Sequence, residues 1–402
     1  MFVTVEGRTC PSPTKEAAMN ATPHHPIAVV GAGLGGLMLA RVLHVNGVAC
    51  TVLDLDTSAG ARAQGGMLDL HEETAQAALR AAGLYEEFRA IVLPGGEESK
   101  VIDPDGTVRS HDPDDGDGGR PEVNRPDLRR ILLDSLPADT IRWGAKVTGA
   151  QPTEVPGRHL VTLADGSRFT TDLLIGADGA WSRIRPLLSD ARPAYTGISF
   201  VEADLLPGTG RHTEVTALTG GGSTFSLGDG RALLTHRESD GRVHTYVAVK
   251  APEEWLGSID FSDTQAARAA VLALFEGWDD RLRALVEDSS GALVPRPIHA
   301  LPVGITWDRV PGVTLLGDAA HLMSPFAGEG ANLAMFDGAE LARALVEHPG
   351  DTEAALAAYE KELFPRSEAT AADSAANLTL MFGPDAQQKL LDMFAGFGAE
   401  QA

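Results

Sequence analysis

The chain has 402 residues, 43% hydrophobic and 22% charged, with 44 glycines spread along it. That is too long for one small core and fits two closely packed domains plus a terminal element. Lys and Arg number 33 against 56 Asp and Glu, a formal charge of −23; a field of that sign repels phosphate backbones and anionic lipid, which argues against nucleic-acid and membrane partners.

Residues 1–23 are expected to be a disordered leader, with Met19 as an alternative start. No long apolar run follows a basic cluster there, and no apolar stretch of roughly 18 residues occurs anywhere, so a cytoplasmic, monomeric protein is expected. Cys10 lies in the leader and Cys50 in a predicted buried strand, so no disulfide is expected. Without a CxxC pair or ligand-spaced histidines, no metal site is expected either.

Residues 27–56 read IAVVGAGLGGLMLARVLHVNGVACTVLDLD. An apolar run meets a glycine-rich turn, then a helical pattern through Leu34, Leu37, Met38 and Val42, a stop at Gly47, and a second apolar strand. This βαβ unit carries Gly31-x-Gly33-x-x-Gly36. Gly31 permits the tight turn, Gly33 lets the backbone approach a pyrophosphate, and Gly36 lets helix pack on strand. Such glycines also occur in plain structural turns. Asp54, however, ends the second strand where a ribose is bound, and its charge repels a 2′-phosphate. The dinucleotide is therefore FAD or NAD(H) rather than NADP(H).

Next come a helix over 71–83, a hairpin tip or mobile loop over 104–119, and an amphipathic helix over 124–136 with Pro126 in its first turn. The loop is acidic but lacks calcium-loop spacing. A hairpin spans 158–176 around Asp165-Gly166. Short alternating strands over 195–250 make a second sheet, residues 264–287 are helical, and 313–317 is a buried strand. A helical tail over 351–395 breaks near Gly383-Pro384. Residues 315–333, LLGDAAHLMSPFAGEGANL, set Asp318 at a strand end, placed to bind a hydroxyl of a ribityl-type chain. A turn then opens a helix, and its N–H groups suit the N1–C2=O edge of a flavin. A plain strand–loop–helix connection is the alternative.

Three stretches, GAGLGG at 31–36, GADGAWSRIR at 176–185 and GDAAHLMSPFAGEGAN at 317–332, resemble in their order the class A FAD-dependent monooxygenases of the aromatic hydroxylase type. The resemblance spans roughly residues 27–345. Within that group GGMLDLHEET (65–74), PEVNRPDLRRILLDSL (121–136), PEEW (252–255) and PFAGEGAN (325–332) look most like the tetracycline-inactivating flavin monooxygenases. The fold class implied is α/β: a Rossmann-like FAD-binding domain from 24–90, 120–190 and 296–345, a mostly antiparallel substrate domain from 91–119 and 191–295, and a helical segment over 346–402 bridging them.

The resemblance implies FAD as cofactor, NADPH or NADH as co-substrate, and O2. Asp54 would bind the adenosine ribose and Asp69 would sit near the flavin. Arg125 and Arg129 would contact FAD, and Asp318 its ribityl or pyrophosphate region, with Pro325, Gly328, Gly330 and Asn332 in the flavin loop. Arg62 would meet NADPH, while Asp178 and Arg183 belong to a motif linked to both nucleotides. Surface ion pairing is the alternative for Arg125, Arg129 and Arg183, and a tight-turn role for Asp178. The substrate would touch Glu202, Ser223, Phe225, His244, Pro325, Phe326 and Gly328. Asn377, Leu380, Met381 and Phe382 would close that side or serve as core.

The sequence departs from those relatives in several places. Leu55 replaces a basic residue, Ser324 a Pro, Glu329 a Gln and Glu202 a Gln, and Ser223 or a neighbour stands at an Arg. The activity implied is hydroxylation of a small aromatic, phenolic or polyketide-like molecule, tetracycline-like included, through a flavin C4a-hydroperoxide. His244, and after it Glu202, are the candidates to deprotonate a phenol or enol, a structural hydrogen bond being the alternative for His244. Two rival readings are an FAD-dependent reductase on the same fold without oxygen insertion, and a non-catalytic nucleotide-binding escort. Arg62→Ala is expected to raise the apparent KM for NADPH and leave FAD content alone; an unchanged KM in steady-state kinetics would retire that role.

Overall fold

The computed structural model describes residues 22–61, 65–114, 116 and 119–400, with side chains to 395. One sheet has seven strands, ordered Ile141–Arg142, Thr51–Leu53, His24–Val30, Arg168–Gly176, His159–Leu163 and Val147–Pro152, with Val313–Leu315 also pairing to Arg168–Gly176. Its centre is parallel: Ala28 lies beside Thr51 on one side and Leu174 on the other, and Leu174 in turn beside Val313. Ala28, Val29, Leu174, Ile175 and Val313 have no exposed surface, as strands covered on both faces require.

Helix Leu34–Val45 crosses helix Gly330–Glu347 at a pair of glycines. A Cβ on Gly35 would lie 2.5 Å from the Ala334 carbonyl oxygen, and one on Gly338 would overlap the Gly35 carbonyl. The two backbones touch only because both side chains are missing.

The second sheet is ordered Ser290–Ala300, Ala194–Leu205, Val243–Lys250, Arg231–Arg237, Ser223–Gly228, Ser99–Ile102 and Val108–Asp112. All its pairs are antiparallel except Ser223–Gly228 with Ser99–Ile102. Side chains alternate between faces. Val201, Leu205, Leu233 and Val247 pack with Val271 and Leu285 of helices Thr264–Leu272 and Asp280–Glu287. The opposite face, through Phe200, Tyr246 and Leu234, packs against Met381, Phe382 and Leu390. A two-stranded ribbon, Met67–Asp69 with Glu122–Asn124, completes the strands.

Three elements differ in detail from expectation. Residues 108–112 form a strand, because the turn at 104–107 folds them back on Ser99–Ile102. The stretch 264–287 is two helices rather than one, each with an Asp cap, Asp263 accepting from Gln265 and Ala266 and Asp279 from Arg281. The helix after His71 starts as a π-turn, Glu72–Gln76. The tail breaks near Gly383-Pro384 as expected, into helices Thr352–Met381 and Ala386–Glu400.

The first tail helix is bolted to the parallel sheet. Buried Glu360 accepts hydrogen bonds from Trp307 Nε1 at 3.0 Å, Thr314 Oγ1 at 2.7 Å and Arg309, and the Tyr359 hydroxyl donates to the Leu315 carbonyl at 3.0 Å. Among the described residues no helix is long and apolar enough to cross a membrane. Gly338→Val is expected to lower the denaturation midpoint, since overpacking of this kind costs about 1–3 kcal/mol; an unchanged midpoint by circular dichroism would contradict the backbone contact.

Candidate active site

The glycine turn between His24–Val30 and Leu34–Val45 is shaped from both sides. Gly31 has φ +112°, and a Cβ there would run into the Ala177 carbonyl. Gly33 is the reverse case: a Cβ would meet nothing within 4 Å. Gly33 also caps the helix without any side-chain hydrogen bond. First-turn N–H groups therefore face a space a phosphate can enter, which fits a pyrophosphate.

Asp54, 5% exposed, holds the turn in place. Its Oδ2 accepts from Ala32 N at 2.7 Å and its Oδ1 from Asp56 N at 2.8 Å. Arg129 lies beneath, donating from Nε to the Ala32 carbonyl at 3.2 Å and from Nη1 to Ala59 at 2.8 Å, with the Trp143 ring 5.6 Å away. Its side chain is buried against the turn rather than exposed at the surface. Arg125 is half-buried; its backbone N–H bonds Gly66, and its charge bears on Asp318. Arg62 falls outside the described residues.

The 176–185 motif makes its contacts through an unexpected arginine. Asp178 accepts from Ser182 Oγ and Arg183 N, both at 2.6 Å, which is turn chemistry, and burial pushes its pKa up. Arg183 itself is exposed. Arg185 is buried and reaches across to the other motif, donating to Ala319 at 2.8 Å, Ala180 at 2.8 Å and the Asp318 carbonyl at 3.1 Å. The Asp318 side chain stays solvent-open with no hydrogen-bond or ion-pair partner among the described residues. A free acceptor at this strand end fits a cofactor hydroxyl.

The loop after Asp318 is fastened by Asn332, one of the residues expected in the flavin loop. Pro325–Ala327 form one 3-10 turn, Gly328 follows at φ +70°, and Gly330 opens the long helix with empty space beside it. Asn332, 1% exposed, donates to the Asp69 and Gly328 carbonyls at 2.9 and 3.1 Å and accepts from His71 N at 2.9 Å. Its side chain is thus engaged with protein backbone, positioning the turn.

The His71 ring lies between two carboxylates: Nδ1 meets Glu329 Oε1 at 2.7 Å and Nε2 meets Asp69 Oδ2 at 3.0 Å. Arg120 pairs with the same Asp69 oxygen at 2.7 Å, and its Nε also points at His71 Nε2 from 2.9 Å. Burial pulls the His71 pKa down, but the bonds to Asp69 and Glu329 prevail and raise it to about 9. His71 follows Asp69 by two places, so in an extended strand both side chains share one side. That spacing is the signal that could have found it.

Across the second sheet, strand register lines up Asp204, His244, His236 and Ser223 in one row and Glu202, Tyr246, Leu234 and Phe225 in the next. His244 Nδ1 meets Asp204 Oδ1 at 2.7 Å, and His236 Nδ1 meets Ser223 Oγ at 3.1 Å. Burial holds His236 down at about 4 and pushes Tyr246 up to about 12. Glu202, expected as a second base, is instead held by Arg296 at 2.9 and 3.4 Å, so its charge is already neutralised.

Phe326 joins this face to the loop. Its ring packs edge-on against Phe200 at 5.8 Å and Phe382 at 5.3 Å, and Asn377 Nδ2 donates to its carbonyl at 3.0 Å. Ser324 bonds Ser374 of the tail helix at 2.6 Å. The Tyr246 hydroxyl approaches within 3.1 Å of a Cβ built on Gly66. Cradle, loop and aromatic face converge here, although Pro325 and Gly328 contribute from the loop rather than the sheet.

A glycine cradle on a parallel sheet, coupled through Arg185 to a second strand-end acid and facing an aromatic sheet, defines a flavoprotein hydroxylase architecture. The chain belongs to the FAD binding domain family, whose model matches residues 24–374. It is similar to the monooxygenase penA of Penicillium thymicola, 30% identical with 92% of this chain and 99% of that protein covered. It is also similar to the 3-amino-4-hydroxybenzoate 2-monooxygenase of Streptomyces cremeus, 31% identical over 85% and 84% of the two chains. These matches make it an FAD-dependent monooxygenase. Among solved structures, Klebsiella pneumoniae HpxO with FAD and uric acid superposes with TM-score 0.76 at 23% identity, covering 93% and 92% of the chains. Tetracycline destructase Tet(51) gives 0.68 at 19%, covering 92% and 95%. At those identities the likeness is one of fold.

Asp318→Ala is expected to weaken FAD retention roughly tenfold or more, the worth of a hydrogen bond to a charged group, with the fold intact. Flavin fluorescence released on desalting measures it, and full FAD occupancy in the variant would overturn the assignment.

Proposed function

We propose that this monooxygenase hydroxylates a small phenolic, aromatic or polyketide-like molecule, taking electrons from NADPH or NADH. One oxygen atom of O2 enters the substrate and the other leaves as water. The observation that carries this reading is the aromatic face of the second sheet, with paired polar groups, meeting the cofactor loop where Phe326 packs on Phe200 beside Tyr246. The Streptomyces relative named for an aminohydroxybenzoate supports a phenolic substrate. Ring systems of the tetracycline kind contain the same phenol and enol groups and belong in the same panel.

Bound FAD supplies the redox chemistry, accepting hydride and activating dioxygen. The protein's own residues bind, orient and keep water out. Phe200, Phe225 and Phe326 offer edges and faces to an aromatic ring and dry its surroundings. Asp204 orients His244 through Nδ1, which leaves Nε2 to take a proton from a substrate hydroxyl and so enrich the ring carbon in electrons. His236, kept neutral, offers a hydrogen bond without adding charge. Arg296 cancels Glu202, so a phenolate is not repelled.

The test is to purify the yellow protein and screen phenols and polyketides for substrate-dependent consumption of NAD(P)H and O2, with product identified by mass. A gain of one oxygen atom is expected; NAD(P)H oxidation without O2 uptake would favour the reductase reading instead. His244→Ala is expected to lower kcat/KM for a phenol by about a hundredfold, a typical general-base contribution, while FAD content stays unchanged. A full rate in that variant would remove His244 from the reaction.

A further inference from the structure

We infer that His71 is a positioning residue that fixes the charge beside the flavin, by holding the Glu329 carboxylate in a neutral ion pair at the entrance of helix Gly330–Glu347. This rests on the reading above that FAD lies against the 325–330 turn.

Both ring nitrogens of His71 face carboxylate oxygens, Glu329 at 2.7 Å and Asp69 at 3.0 Å. Nε2 also lies 2.9 Å from Arg120 Nε, but two carboxylates facing one guanidinium leave a net negative charge that draws a second proton onto the ring, and the imidazolium serves both acids. Arg120 brings the second positive charge to Asp69. Two acids and two cations then sum to zero.

The compensation is needed where it stands. Glu329 is the residue before Gly330, at the positive end of an 18-residue helix, where a lone carboxylate would cancel the favourable field the helix offers a reduced flavin. Its other oxygen, Oε2, is buried and has no hydrogen-bond partner among the described residues, so loss of His71 would leave an uncompensated charge. Asn332 bonds the backbone at His71, Asp69 and Gly328 together, which fixes the two chain segments that carry the pair. A glutamine at 329 would need no cation. His71 and Glu329 therefore work as a pair.

Reduction adds negative charge to the flavin, and the two residues must act on it with opposite signs. His71→Gln removes the cation and should tilt the oxidised–reduced equilibrium of bound FAD toward oxidised by about tenfold, the scale of one charge at close range in a partly screened site. Glu329→Gln should tilt it toward reduced by a similar factor. The double variant should return close to wild type.

The experiment is the midpoint potential of bound FAD, by dye equilibration, in wild type, the two single variants and the double variant. Opposite single shifts that cancel in the double support the pairing. Shifts of the same sign, or none, overturn it and point to a purely structural role. If His71→Gln no longer holds FAD, the sign of the Glu329→Gln shift alone decides. A wild-type protein that refuses FAD would sink the functional reading and this inference together. A yellow, hydroxylating protein with unmoved potentials would sink only this one.

Discussion

Asp337 has no exposed surface, and three hydrogen bonds converge on its carboxylate. Oδ2 accepts from Gly317 N at 3.0 Å and His321 Nε2 at 2.6 Å, and Oδ1 accepts from Arg366 Nη2 at 2.9 Å. Burial alone would raise its pKa, but the His321 charge and bond, with Arg366, hold it below the usual carboxylate range. Stability from such a group is complete above the unfolded carboxyl's pKa and is lost as pH falls through the lower native value. Removing one member of a buried charge cluster typically costs about 3–5 kcal/mol, because the rest are left unpaired. The neighbouring residue, Gly338, touches the first helix. The cradle, the Asp318 strand end, the flavin loop and the tail helix thus share one fixed point.

Charge explains much of the rest. A protein with a formal charge of −23 must hold a pyrophosphate, and it does so by local arrangement. Arg129 and Arg185 are buried against backbone carbonyls, Arg120 is committed to Asp69, and Arg125 stands near Asp318. Two helix entrances, at Gly33 and Gly330, add partial positive charge without any side chain. Four acids around the site are answered, Asp69 by Arg120, Glu329 by His71, Glu202 by Arg296 and Asp204 by His244, and Asp318 is left open.

The parallel sheet was legible because strands buried on both faces read as unbroken apolar runs, and because the cradle needs glycine at fixed offsets. The second sheet showed as alternation, and its register brings Glu202, Ser223, Phe225 and His244 onto one face. Pairings between distant residues were not legible. His71 with Glu329 and Glu202 with Arg296 are separated by 258 and 94 positions, and no local pattern announces them. Arg185 rather than Arg183 bridges the two motifs because the turn around Asp178 points the former inward. The strand at 108–112 hid behind an Asp- and Gly-rich composition, since an edge strand needs little apolar content.

One join in the second sheet governs how the chain can be assembled. Ser99–Ile102 pairs in parallel with Ser223–Gly228, yet more than a hundred residues separate them, and the chain between contributes strands Thr170 to Gly176 to the first sheet. Neither sheet can be completed before the other is under way. Closing such distant segments is slow and leaves strand edges open meanwhile. The enzyme is therefore built as one cooperative folding unit, and no cut between its two sheets yields halves that could each finish alone.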